Sequence, residues 1–137
     1  MKALHAIASD AEAPAIKAVG HALRSAGLEA EPVPGRTGHR GLLFRIAPGD
    51  ARLYVEYFPG LAPRQADSAV SSLRNSAGPD VSLGLCVRRM SWTLLDACKR
   101  LNVALFDLEG NAYLRLPGVY VERIRPSREP SQEPSAG

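Results

Sequence analysis

The run Val81-Ser82-Leu83-Gly84-Leu85-Cys86-Val87 is apolar almost throughout. Continuity of that kind marks a strand covered on both faces, because a strand with one wet face alternates instead. Ser91 then caps a helix in which Leu94, Leu95, Cys98 and Leu101 recur at helical spacing, and Val103 to Asp107 returns as a strand. Strands alternating with helices place the chain in the α/β class.

Upstream, Pro63 opens a helix with Ala66, Ala69, Val70, Leu73 and Ala77 along one side, and Gly78-Pro79 ends it. Before it stand two alternating runs, Gly41 to Ala47 and Arg52 to Phe58, which the turn Pro48-Gly49-Asp50 joins into a hairpin. Leu28 to Val33 adds a third extended run, and Pro34 to Arg40, with Arg36, His39 and Arg40, reads as a mobile basic loop. Ser9 to Gly27 reads as a helix: Ser9 and Glu12 resemble a capping box, Ile16, Val19, Leu23 and Ala26 share a face, and Gly27 stops it. Pro14, tolerated only in a first turn, pushes the expected start toward Ala13.

Beyond Asp107 come the turn Leu108-Glu109-Gly110-Asn111 and two short strands, Ala112 to Leu116 and Val119 to Ile124, parted by Pro117-Gly118 as a C-terminal β-hairpin. The expected architecture is a mixed central sheet flanked by helices, one domain over residues 1–124. Residues 125–137 are Pro, Ser, Arg and Glu for the most part; they bury too little apolar surface to order themselves and are expected to form a disordered tail.

Composition narrows the function classes. A chain of 137 residues with 45% hydrophobic and 23% charged residues is long enough for one core and near the globular average, which excludes a fibrous repeat. No apolar run approaches the about 18 residues that span a bilayer, and the start carries Asp10 and Glu12 with no sustained apolar core, unlike a signal peptide. The expected location is cytoplasmic, with no membrane partner. Cys86 and Cys98 are too few for a disulfide framework and lack metal spacing, so both are expected as reduced core residues. His5, His21 and His39 lie far apart, and no phosphate loop, zinc-finger spacing or nucleophile elbow is present.

In Arg52-Leu53-Tyr54-Val55-Glu56-Tyr57-Phe58, alternation puts Glu56 on the face of Arg52 and Tyr54, opposite Leu53 and Val55. A charge in mid-strand needs a partner, and an ion pair with Arg45 or Arg52 is the structural expectation. The order of elements also resembles the restriction-endonuclease-like αβββαβ core of the PD-(D/E)XK nuclease superfamily, in which an acid on one strand and a (D/E)xK tripeptide on the next hold a divalent metal. The resemblance puts Glu56-Tyr57-Phe58 at the tripeptide. Phe58 then stands where that family has its lysine, and Gly41 to Ala47 contains no carboxylate. Metal-assisted hydrolysis needs several hard oxygen ligands and a base or cation near the attacking water, so Glu56 and Asp107 are at most vestigial catalytic residues. No metal and no cofactor are expected; Mg2+ enters only if a relocated site uses Glu56, Asp107 and Glu12 or Lys99.

Asp107 ends a strand, and Gly110-Asn111 can take positive φ, which describes a tight turn with Asp107 accepting backbone N–H bonds. Asp107, Gly110 and Asn111 thus form a structural motif. The string from Phe106 to Arg123 also looks like the D-x-x-G-N-A signature of the AbiEi-type antitoxin or transcriptional-regulator domain, and the likeness extends over about Leu42 to Arg123. It implies a nuclease-like fold and a role around DNA or toxin regulation in a regulatory, defence or mobile-element setting. It does not imply cleavage.

The cations divide unevenly, 14 Arg against Lys2, Lys17 and Lys99, within a net charge of only +3. Arg pairs bidentately with phosphate, and Arg36, Arg40, Arg64, Arg88, Arg89 and Arg115 are the candidate nucleic-acid contacts. Scattered Arg on a solvated face is the competing reading. Trp92 is expected as a core or interface anchor. The leading expectation is a non-catalytic nuclease-fold domain that binds DNA or a protein partner. The alternatives are an active metal-dependent nuclease and an interaction module, such as a homodimer through the edge strand Val119 to Ile124.

Overall fold

The computed structural model describes residues 2–33, 41–47 and 50–124, with side chains from Pro14 onward apart from Gly41 and Leu42. Three helices, α1 (Lys2–Ser25), α2 (Ala66–Ala77) and α3 (Trp92–Leu101), accompany seven strands: β1 (Glu29–Pro32), β2 (Gly41–Ala47), β3 (Ala51–Phe58), β4 (Ser82–Val87), β5 (Ala104–Asp107), β6 (Ala112–Leu116) and β7 (Val119–Arg123). The strands form one mixed sheet in sequential order. β3, β4 and β5 are parallel neighbours, and every other pair is antiparallel.

The apolar run from Val81 to Val87 supplies β4, at the centre of the parallel part. Its side chains divide between two cores. Cys86 faces Val19, Leu23, Phe44, Leu53, Val55 and Phe106 on the α1 side, while Leu83, Leu85 and Val87 face Leu73, Leu94, Leu95 and Leu105 on the α2 and α3 side. Both parallel crossovers, β3 to α2 to β4 and β4 to α3 to β5, put their helix on one face, as the common handedness of such connections requires. That leaves the other face to α1. Gly84 is needed where β3, β4 and β5 pass: a Cβ there would stand 3.3 Å from both Ala104 Cβ and Val55 Cγ2.

Local signals set most ends. Ser91 Oγ accepts from Leu94 N at 3.1 Å to start α3, and Asn102, left-handed at φ 59, closes it. Pro63 opens a single 3-10 turn, Pro63–Gln65, before α2 begins at Ala66. The largest difference from the sequence reading is α1. It starts at Lys2, not between Ser9 and Ala13, ends at Ser25 before Gly27, and carries Pro14 inside. Proline there lacks the N–H that would bond the carbonyl of Asp10, yet the helical path is continuous through it. From Ala15 on, burial of Ala15, Val19, Ala22 and Leu23 against the sheet holds the helix in place. Cys86 and Cys98 are free, buried and on opposite faces of the sheet; burial, with the charge of Asp107 beside Cys86, pushes both thiols up to about 12. No described helix is long and apolar enough to cross a membrane. The loop with Arg36, His39 and Arg40, the turn residues Pro48 and Gly49, and residues 125–137 lie outside the described residues.

Candidate nucleic-acid interface

Phe58, Val87 and Asp107 share one register row, so the three parallel strands end together. Loops leaving such an edge of a rigid sheet are where binding residues concentrate. Two of its loops are set by one buried side chain. Asp107, 1% exposed, accepts at Oδ1 from Glu109 N and Asn111 N, both at 3.0 Å. Its Oδ2 accepts from Met90 N at 3.0 Å and from Asn111 Nδ2 at 2.9 Å. An ionised carboxylate offers about four acceptor sites, and all are taken. Asp107 therefore ties the β4–α3 loop to the β5–β6 turn, and Leu108 N adds a bond of 3.3 Å to Arg88 O.

Each position of the D-x-x-G-N-A string has a physical task in this arrangement. Gly110 sits at φ 98, a region that side chains disfavour. Asn111 is buried and donates twice to Asp107, and Ala112, fully buried, pairs with Phe106.

Glu56 lies elsewhere. It is 8% exposed and accepts from Tyr54 Oη at 3.2 Å. Its row runs through Leu85 to Leu105, two strands from β5 and two residues short of Asp107, which separates the two Cα atoms by roughly 12 Å. Carboxylates that share an ion must each reach it within about 2.5 Å. No group of three or more His, Cys, Asp or Glu side chains able to hold a metal occurs among the described residues. The ion pair expected for Glu56 does not form there either, since the ion pairs between described residues are Arg89–Glu109 and Lys99–Glu122. The reason is register: Arg45 and Arg52 oppose each other, four residues from Glu56, or about 13 Å along the strand.

The arginines separate into sets. Arg64, Arg88 and Arg89 are exposed and leave from the carboxyl edge, Arg64 in the turn after β3 and the pair just after β4. Arg89 Nε meets Glu109 Oε2 at 3.2 Å, while Arg64 and Arg88 make no ion pair with a described residue. Arg115, exposed on β6, lies past the Leu105–Tyr113 pair toward the opposite edge and does not join them. Arg36 and Arg40 lie outside the described residues, although Gly41, the next residue described, pairs with Glu56 near the carboxyl edge. Arg74 is structural, donating to Gly78 O at 3.1 Å and Val81 O at 3.0 Å beyond α2. Trp92, expected in a core or interface, stands at the same edge 47% exposed.

A second polar cluster was not singled out by sequence. Lys99 Nζ lies 3.0 Å from Glu122 Oε2 and 5.4 Å from the Tyr113 ring centre; Tyr120 donates to Glu122 and meets Tyr113 edge-on at 6.1 Å. Hydrogen bonds from Tyr120 and Lys99 hold the Glu122 carboxyl below its usual range, and the bond to Glu122 raises Lys99. The period-two placement of Tyr120 and Glu122 was the available signal. A groove of about 760 Å3 between α1 and β7 is lined by Lys17, His21, Leu108, Glu109, Glu122 and Arg123, among others.

Comparison with protein-family models, curated proteins and solved structures gives no match.

Proposed function

We propose that this chain is a non-catalytic domain of nuclease-like fold, of the AbiEi antitoxin and transcriptional-regulator type, that binds DNA through its phosphate backbone. The observation that carries the reading is the carboxyl edge: Arg64, in the turn after β3, and Arg88, on the β4–α3 loop that the Asp107 carboxylate fixes, stand exposed and without an ion pair among the described residues. Such an edge can hold phosphates and has little with which to hold a hydrolytic metal. The regulatory, defence or mobile-element setting and the cytoplasmic location rest on the sequence resemblance and composition. Electrophoretic shift of duplex DNA over a salt series, with plasmid incubated in Mg2+ and Mn2+, tests this. A complex that weakens with salt, and intact plasmid, support it; no complex at low salt, or nicking lost in Glu56→Ala, refutes it.

A second reading, a homodimer through β7, is favoured by the unequal edges of the sheet. β1 presents Glu29, Glu31 and Pro32, which discourage strand addition, whereas Tyr120 on β7 is 63% exposed.

A further inference from the structure

We propose that the carboxyl edge takes single-stranded nucleic acid in preference to duplex, with an unpaired base stacked on the indole of Trp92 and the adjoining phosphates held by Arg88 and Arg64. This rests on the nucleic-acid reading above and names its ligand more narrowly.

Trp92 is the chain's one tryptophan and one of two large hydrophobic side chains left exposed among the described residues. The helix it opens buries Leu94, Leu95, Ala97 and Cys98, yet the indole stays half in solvent. The main chain that carries it is held from both sides. Two residues before it, Met90 N is fixed by Asp107 Oδ2; two residues after it, Leu94 N is fixed by Ser91 Oγ. A ring on so fixed a backbone gives up little freedom when a base stacks on it.

The shape of the ligand follows from where base faces are available. Inside a duplex they are hidden by their neighbours, and an indole on the protein surface meets one only where the strand is unpaired. Arg88 lies four residues before Trp92, exposed and without an ion pair among the described residues, whereas Glu109 already engages Arg89. The immediate chain neighbours of the indole, Ser91 and Thr93, are polar and exposed. With polar chain neighbours and an exposed cation four residues before it, the indole suits a base carrying its phosphate.

The single tryptophan makes the test direct. Intrinsic fluorescence of the full chain is followed while oligothymidylate or a hairpin duplex of equal length is added, alongside anisotropy of the labelled strands. The expected result is quenching by oligothymidylate and tighter binding of the single strand. Trp92→Ala should weaken single-strand binding about tenfold and leave duplex binding unchanged, while Trp92→Phe keeps most of the affinity. Arg88→Ala should weaken both ligands and lower the salt dependence. Thermal melting confirms that each variant is folded. Duplex binding at least as tight as single-strand binding, with unchanged fluorescence, overturns this inference and leaves backbone binding standing; binding of neither ligand removes both. A concentration-dependent shift of the tryptophan signal without nucleic acid assigns Trp92 to a protein interface and overturns it as well.

Discussion

The Asn111 side-chain amide donates to the Asp107 carboxylate at 2.9 Å, and the Asn111 main-chain N–H reaches the other oxygen of the same carboxylate at 3.0 Å. One residue thus fills half of the acceptor sites of the acid that ends the parallel sheet. The consequence is that Asp107 shapes two of the loops at the carboxyl edge.

Replacing Asp107 should therefore cost stability. Asp107→Ala removes the acceptor of four N–H groups, two of them buried on Asn111 and those of Met90 and Glu109 part-buried, and a buried donor that loses its partner costs about 1 to 3 kcal/mol before relaxation and water entry. A net loss of about 3 kcal/mol is expected in urea unfolding. A loss below about 1 kcal/mol would mean that the carboxylate does not hold the loops.

Gly84→Ala should also destabilise, by about 1 to 2 kcal/mol, because the new methyl meets Ala104 Cβ and Val55 Cγ2 at 3.3 Å on strands that cannot part. The midpoint of thermal unfolding reports it. An unchanged or raised midpoint would show that the sheet yields there.

Titration of Glu122 should be displaced downward, since Tyr120 and Lys99 both donate to its ionised form. Its folded-state pKa lies below the unfolded one, so its contribution is present above the unfolded value and is lost as pH falls through the folded value. Carboxyl NMR should place the Glu122 midpoint below that of an ordinary glutamate, and Lys99→Met should move it back up. A midpoint unaffected by that substitution would detach Lys99 from Glu122.

If β7 pairs with a second copy, Tyr120→Pro should abolish the dimer. Proline lacks the N–H that an added strand needs, and it is tolerated on a sheet edge. Sedimentation should show the native chain associating with concentration and the variant remaining a folded monomer. A native chain that stays monomeric at every concentration would end the dimer reading.

Much of this fold is legible in the sequence because its signals are local. The buried run of β4 and the Ser91 cap act within a few residues and appear where expected, and in β3 Leu53 and Val55 face one core and Tyr54 the other as alternation implies, although both faces there are buried. The extent of α1 is not legible, because proline signals a helix boundary and the helix runs through Pro14. Glu56 shows the second kind of limit. Its face follows from alternation, but its partner depends on register across strands, which places both Arg45 and Arg52 too far along the sheet. The Asp107 turn is readable in outline, whereas the bond from Met90 joins residues 17 apart and appears only once β4 and β5 are aligned. For the same reason the arginines could be named but not grouped: Arg64, Arg88 and Arg89 come together at one edge, and Arg115 does not.

The most direct test of the central claim, that this edge binds phosphates, is the salt dependence of nucleic-acid affinity for the native chain and for an Arg64→Ala, Arg88→Ala, Arg89→Ala variant. The native chain should show log affinity falling with log salt at a slope of about −1.4 to −2.7, as expected for two or three phosphate contacts, and the triple variant should lose most of that slope while remaining folded. Equal slopes for the two proteins, or no measurable binding by the native chain at low salt, would contradict it.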